Sequence, residues 1–150
     1  TRVTREDFLC INECKSLWGE LRYETALIRA PRSTAWGIAQ ALRTEWADVC
    51  HLAVAADAEG VPTAAPIADE ILGETDAVRI RELLNGLDGG LLIGSSNESA
   101  HINPRTAAYF PAAYPVQDAL HLSDAPFMGL RGARHIEETL WNGHILQKKI

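Results

Sequence analysis

Residues 25–42 read TALIRAPRSTAWGIAQAL, a short apolar run followed by a proline-containing turn and by apolar residues at helical spacing. The run at 25–30 does not alternate regularly between apolar and polar residues, which is typical of a strand covered on both faces of a sheet. Pro31 ends this strand, and we expect Ser33 to cap a helix over residues 34–46. The stretch therefore predicts one strand–turn–helix unit of an α/β fold.

The rest of the chain continues this alternation of short apolar strands and helices. We predict further strands at residues 51–57, 91–94 and 112–116, and further helices at residues 4–17, 76–85, from about Glu98, and 129–143. Pro104 limits the helix near Glu98 to about one turn, and Gly143 is the expected end of the last helix. Together these elements indicate a Rossmann-like or flavodoxin-like three-layer domain, with a mostly parallel sheet of about four strands and helices on both faces.

Length and composition exclude several classes of protein. A chain of 150 residues with 47% hydrophobic content is long enough for one core, so we expect residues 1–150 to form a single domain. The formal net charge of −6 offers nothing to a phosphate backbone, which argues against a nucleic-acid partner. No apolar run reaches the roughly 20 residues that span a bilayer, so we expect no membrane contact and a cytoplasmic location.

Three cysteines, Cys10, Cys14 and Cys50, make an odd set that argues against a disulfide framework. The first two are four residues apart on one predicted helix face, a spacing that is compatible with metal ligation but is explained more simply by burial in the core. Cys50 is also expected in the core, and we assign no metal ligand. Because the first residue is Thr1 and not methionine, we expect that the sequence was cut from a longer chain.

Ligands of open α/β sheets collect at the carboxyl ends of the strands, where this chain places three loops, residues 31–34, 95–99 and 113–133. Residues 30–37 lack the G-x-G-x-x-G pattern of a dinucleotide site, and the chain has no P-loop, G-x-S-x-G or H-E-x-x-H motif. These absences argue against the familiar nucleotide-binding, hydrolase and zinc-protease functions.

Two of these loops carry candidate ligand or interface residues. In the loop after residues 91–94 the candidates are Ser95, Ser96 and Asn97. Either Ser96 or Asn97 caps the following helix or the loop binds an anion at the helix start, and we favour capping. In the loop at 113–133, His121 lies between Asp118 and Asp124. A neighbouring carboxylate orients the imidazole ring in many catalytic and metal-bound histidines. Because no second cluster of acid–base groups or metal ligands lies near it in sequence, we expect a structural or interface role and assign no catalytic residue.

The final segment carries a family resemblance. AYPVQDALHL at 113–122 is followed after six residues by G-x-x-G-A, and then by I-x-x-T-L-x-N. This pattern resembles the C-terminal domain of nitrogenase component 1 subunits, closest to the β-type chains and the cofactor-assembly scaffold, where the segment has the form G-F-P-I-x-D-x-x-H-L. The matching positions are Pro115, Asp118, His121, Leu122, Gly129, Gly132, Ala133, Ile136, Thr139, Leu140 and Asn142. Upstream, Ile93, Gly94 and Ser96 match the family's D-L-x-I-G-N-S-x-G turn.

The resemblance implies a Rossmann-like domain of a larger subunit in a heterotetramer that takes electrons from an iron–sulfur reductase component. Relatives reduce dinitrogen in nitrogen fixation, assemble the iron–molybdenum cofactor, or reduce tetrapyrrole rings. In β-type chains the cluster-ligating cysteines lie in the N-terminal domain. We therefore expect no cofactor on this chain, and an iron–sulfur or iron–molybdenum type cluster in the parent complex.

Within that complex the resemblance implies that the domain contributes subunit interface and cavity wall, with Asp118, His121, Gly129 and Gly132 among the contributing positions. Its partners would be the other domains of the same subunit, a homologous partner subunit and the reductase, and oxidoreductase activity would need the full complex. Ala113 stands where the family prefers glycine, and SSNESA lacks a glycine, so a divergent member is expected. Alternatives are a tetrapyrrole reductase subunit and a self-standing flavodoxin-like module that binds a small anion or a partner protein through residues 95–99.

Overall fold

Five parallel strands form one sheet in the computed structural model, which describes residues 16–17, 19–56, 67–117 and 129–148. The strands are β1 (Arg22–Ala30), β2 (Asp48–Ala56), β3 (Glu70–Leu72), β4 (Leu91–Gly94) and β5 (Ala108–Pro111). Their order is β3-β2-β1-β4-β5, which is that of a doubly wound α/β sheet. The predicted Rossmann-like fold is confirmed, with five strands in the described ranges in place of about four.

The register places β1 at the centre of the sheet. Ala26 lies opposite Leu52 of β2 on one side and opposite Leu91 of β4 on the other, and Ile28 lies opposite Ile93. All of these side chains are fully buried. Covering on both faces explains why the strands have near-continuous apolar sequences, the pattern from which they were predicted.

Helices cover both faces of this sheet. They are α1 (Arg32–Ala41), which continues as a π-helical turn (Leu42–Trp46), then α2 (Ala77–Asn85), the single turn α3 (Ser96–Ser99), and α4 (Gly129–Lys148). One core contains Ile28 of β1, Ile38 of α1 and Ile136 of α4. The core on the opposite face joins Leu27 of β1 to Leu83 of α2. Alternate residues of β1 thus serve two cores, which gives the three layers.

The strand predicted at residues 112–116 is wrong, because the last strand of the sheet is β5, four residues earlier. The amides of Ala112 and Ala113 both donate to the carbonyl of Gly94, at 2.8 and 3.1 Å, where β4 ends. With no further partner on β4, the chain leaves the ladder and turns. The apolar letters AAYPV therefore belong to a loop, with a cis peptide bond between Tyr114 and Pro115.

Strand β3 was missed because it is only three residues long and polar contacts just before it hold it against β2. The amide of Asp69 donates to the carbonyl of Leu52 at 2.9 Å, and the amide of Leu52 donates to the Asp69 carboxylate at 2.8 Å. That backbone donor, together with the nearby Arg43 guanidinium, holds the pKa of Asp69 below its usual range. Three residues with one buried side chain give no readable period.

Two expected helix boundaries are also wrong. Ser33 does not cap α1, which begins at Arg32 after an N-cap Pro31 that makes no side-chain cap bond. The missing N–H of proline suits a helix start, so the helix begins directly after it. Gly143 does not end α4, which runs on to Lys148. Gly143 has no positive φ, so it lies inside the helix as an interior glycine, at a cost of roughly 1 kcal/mol.

The remaining predicted elements agree with the structure or lie partly outside the described residues. The predicted strand at 91–94 and helix at 76–85 correspond to β4 and α2, the latter preceded by a 3₁₀ turn. Of the helix predicted at 4–17, only residues 16–17 lie inside the described ranges, and they are helical. Asp57, the predicted end of the second strand, lies outside the described residues.

Tyr23 gives a prediction about alkaline stability. Its side chain is 2% exposed, its hydroxyl has no hydrogen-bond partner in the described part of the chain, and burial raises its pKa from 10.0 to about 12. The unfolded phenol ionises first, so the folded state should lose about 2–3 kcal/mol of stability between roughly pH 10 and 12. Tyr23→Phe should remove this loss, as urea unfolding at several alkaline pH values will show.

The control is Tyr114→Phe, at a side chain that is fully solvent-accessible. It should retain the alkaline loss of the parent chain. If Tyr23→Phe lost stability as steeply as this control, the buried phenol would not be its origin.

Candidate functional site

The carboxyl ends of β1 and β4 define the crevice of this fold. The connection that follows β1 passes through α1 on one face, and the connection that follows β4 places Ile102 in the core on the opposite face, so the two connections diverge at this point. Doubly wound sheets bind ligands at such switch points. A cavity of about 310 Å³ opens here. Its lining residues are Arg29, Ala30, Pro31, Ala55, Ala56, Gly73, Ile80, Ser95, Asn97, Glu98, Ala113 and Tyr114.

The residue that caps the turn α3 is Ser95, whereas Ser96 or Asn97 was expected to do so. Its hydroxyl accepts from the amide of Asn97 at 3.3 Å and donates to the carboxylate of Glu98. The same carboxylate accepts from the amide of Ser95 at 2.8 Å, which completes a capping box. Ser95 is buried, and these internal bonds engage its polar groups.

Ser96 joins the turn after β4 to the loop after β5. Its amide donates to the carbonyl of Pro115 at 2.8 Å, and its hydroxyl accepts from the amide of Gln117 at 2.6 Å. Asn97 is the remaining candidate of this loop, and its exposed side chain lines the cavity. The structure thus brings two of the three predicted carboxyl-edge loops into direct contact.

Glu98 is a site residue that the sequence analysis treated only as a helix position. Its carboxylate is 7% exposed, and it accepts from the Arg29 guanidinium at 2.9 Å, while 48% of the Arg29 side chain remains exposed. Arg29 is the penultimate residue of β1, so this ion pair spans the switch point. The S-x-x-E spacing signals the capping box, but no local signal links Glu98 to β1.

A second recess of about 170 Å³ adjoins the first on the α2 side of the sheet. Its lining residues are Arg29, Ala77, Ile80, Arg81, Leu84, Asn97, Glu98 and His101. Arg81 and His101 are exposed, and neither side chain makes a hydrogen bond or ion pair with described residues. The crevice therefore continues into a recess with cationic and imidazole side chains.

Tyr114 stands at the mouth of the larger recess. Its side chain is 95% exposed, although the residues that follow it are bonded to Ser96. An exposed aromatic side chain on a loop held by hydrogen bonds is characteristic of protein interfaces, where tyrosine is enriched.

The shifted carboxylate pKa values belong to a charged cluster at the edge strand. Arg79 donates to the Glu70 carboxylate at 2.7 and 3.1 Å, and His51 lies 3.1 Å from one of its oxygens. Bonds from Arg79, followed by His51, lower the pKa of Glu70. These residues do not line either recess of the crevice. These contacts are best explained as structural, because they connect β3 to β2 and α2.

The other predicted site residues are dispersed or lie outside the described ranges. Gly129 begins α4 with φ +71°, and Gly132 is buried in its first turn. Asp118 and His121 lie outside the described residues, as do Cys10 and Cys14.

The expectation of a core Cys50 is wrong, since this thiol is exposed. It lies near the amino end of β2, before the stretch of four consecutive buried residues. Within the described ranges no three His, Cys, Asp or Glu side chains form a group suited to a metal ion. None of the helices that the structure describes is long and apolar enough to cross a membrane.

No protein-family model matches the chain, and no curated protein or solved structure matches it significantly. Function must therefore be argued from the residues and the geometry of the crevice.

Proposed function

We propose that this chain is a Rossmann-like domain of a nitrogenase-like component 1 subunit, in which it forms subunit interface and cavity wall. The resemblance rests on two stretches of sequence, one around Ile93, Gly94 and Ser96 and one from Ala113 onward. In the fold these stretches meet through the bond from the Ser96 amide to the Pro115 carbonyl. Their contact supports a common role at the carboxyl edge of the sheet.

Tyr114 is the observation that carries the interface role. Its neighbours Pro115 and Gln117 are held by Ser96, so the loop loses little further freedom when a partner binds. The ring itself is exposed and supplies a large contact area with only two rotatable side-chain bonds. A surface of this kind suits a permanent partner subunit.

The parent complex would supply the chemistry. In this proposal an iron–sulfur reductase component delivers electrons, and an iron–sulfur or iron–molybdenum type cluster is held by other domains or by the homologous partner subunit. The whole assembly is a cytoplasmic oxidoreductase of the nitrogenase class or its cofactor-assembly scaffold. Within the family the alternative is a tetrapyrrole reductase.

Tyr114→Ser tests the interface in the complete subunit, co-expressed with its partner subunit. Loss of a central aromatic anchor should weaken assembly at least about tenfold, because such anchors contribute roughly 2 kcal/mol or more. Assembly can be measured by analytical ultracentrifugation over a dilution series. The exposed ring makes little contact within the domain, so domain stability should not change.

Val78→Ser is the matched control, since Val78 is 75% exposed on α2 and does not line the crevice. It should leave assembly intact. Equal assembly of both variants with the parent protein would contradict an interface at Tyr114.

A second candidate function is a self-standing flavodoxin-like binding module for a small anion or a partner protein. The crevice with the exposed Asn97 favours this function. The genomic reading frame separates the candidates. A longer frame with upstream cysteine motifs supports the nitrogenase-like subunit, whereas a complete gene of about this length supports the module.

A further inference from the structure

The two recesses at the carboxyl edge adjoin each other, and together they are called the cleft. They share four lining residues, Arg29, Ile80, Asn97 and Glu98. The larger recess, of about 310 Å³, is at the lower end of the volumes that hold small molecules, and the smaller one extends it by about 170 Å³ toward α2. A ligand that spans both recesses would contact Arg81 and His101 in the smaller one and several alanine side chains in the larger one.

The smaller recess carries the charge. Arg29, Arg81 and His101 line it, opposed by the single acid Glu98. Both Glu98 oxygens are already engaged, one by Arg29 and the other by the amide and hydroxyl of Ser95. Glu98 thus holds Arg29 in place and has little capacity left to oppose an anion.

Donors remain free on the cationic side chains. A guanidinium has five N–H donors, and the bond to Glu98 at 2.9 Å uses one of those of Arg29, which is half exposed. Arg81 makes no hydrogen bond or ion pair with a described residue. In a chain with a formal net charge of −6, this recess is a local site for an anionic group.

Part of the wall of the larger recess is apolar. Ala30, Ala55, Ile80 and Ala113 line it, and the Tyr114 ring stands at its mouth. The two buried polar residues of its lining, Ser95 and Glu98, are bonded to each other in the capping box. The apolar part of this wall can accept a small ring or chain.

We propose that the cleft binds a small organic anion, whose apolar body lies in the larger recess and whose carboxylate or phosphate group contacts Arg29 and Arg81. Guanidinium donors bind both groups in a bidentate manner, so the shared chemistry is a planar or tetrahedral oxyanion on an apolar body. Anion binding depends only on the residues of the cleft, so it is expected whether the domain works within a larger subunit or alone.

Benzoate, phenyl phosphate, benzamide and inorganic phosphate are the probes, added to the ¹⁵N-labelled chain. The two aromatic anions should produce saturable shifts of the amide signals of Asn97 and His101. Benzamide has the same body without the charge, and inorganic phosphate has the charge without the body, so both should bind at least about tenfold more weakly. The tighter of the two aromatic anions identifies the preferred oxyanion.

Arg81→Gln should weaken binding of the tighter anion roughly tenfold, because it removes one charge-assisted contact from a partly exposed site. Arg81→Lys should bind with intermediate affinity, since it keeps the charge and loses the planar fork. Arg105→Gln is the matched control, because Arg105 is exposed and lines neither recess. It lies just before the amino end of β5, whereas the cleft lies at the carboxyl edge of the sheet. This variant should bind like the parent chain.

Three outcomes would overturn the inference. One is the absence of saturable shifts for either aromatic anion up to roughly 10 mM, a concentration well above that of weak specific ligands. Another is equal binding of benzamide and benzoate. The third is equal weakening by Arg81→Gln and Arg105→Gln, which would indicate a general charge effect.

Discussion

Gly90→Ala should lower the free energy of unfolding by at least about 3 kcal/mol. A Cβ atom at this position would lie 2.6 Å from the carbonyl oxygen of Thr25 and 2.9 Å from Cγ of Leu87. The first contact is with the backbone of the central strand, which cannot move aside as a flexible side chain can. The cost should therefore reach or exceed the upper end of that for overpacked cores.

Gly37→Ala is the matched control for this prediction, and it should have the opposite sign. A Cβ at Gly37 meets no atom within 4 Å, and the residue lies inside α1. Alanine should stabilise that helix by about 0.5–1 kcal/mol. Urea unfolding of both variants measures the difference, and a Gly90→Ala loss below about 1 kcal/mol would show that β1 and β4 can separate without cost.

Glu98→Gln should destabilise the domain by about 2–3 kcal/mol. The buried carboxylate accepts from the Ser95 amide, the Ser95 hydroxyl and the Arg29 guanidinium. An amide side chain has one oxygen, so its NH₂ group must face one of these donors, and a hydrogen bond to a charged group is lost. The loss affects both the α3 cap and the link to β1.

Glu82→Gln makes the same substitution on an exposed ion pair, 3.2 Å from Arg79. Exposed pairs contribute little, so this control should change stability by less than about 0.5 kcal/mol. Thermal and urea unfolding compare the two variants. If they were equally stable, the Glu98 carboxylate would be a minor contributor to the fold and its contact with Arg29 incidental.

The central elements were predictable because burial dominates their sequences. The runs at 25–30 and 91–94 are apolar on both faces, and both form strands of the central sheet. Short elements at the edges were not predictable, since β3 depends on Asp69 bonding to Leu52 of another strand. The strand predicted at 112–116 failed for the same reason, because the end of β4 at Gly94 decides where β5 stops.

The candidate site was likewise predictable only where it depends on local sequence. Capping of the helix after β4 was anticipated from the sequence, but at Ser96 or Asn97; the S-x-x-E spacing of Ser95 and Glu98 is the local signal of the actual cap. The Arg29–Glu98 ion pair and the position of Arg81 depend on the crossing from β3 through α2 to β4, which no local pattern specifies. The topology places these residues at one crevice although they come from separate parts of the chain.

The central position of β1 has a consequence for how the cleft comes into being. One side of β1 pairs with β2, the next strand in the chain, and its other side pairs with β4, which is far downstream in the sequence. Such non-local pairing adds to contact order and forms late. A molecule that fits the cleft therefore binds only chains that have completed the sheet, and its binding energy adds to their stability in proportion to its concentration. Occupancy of the cleft would thus report completion of folding.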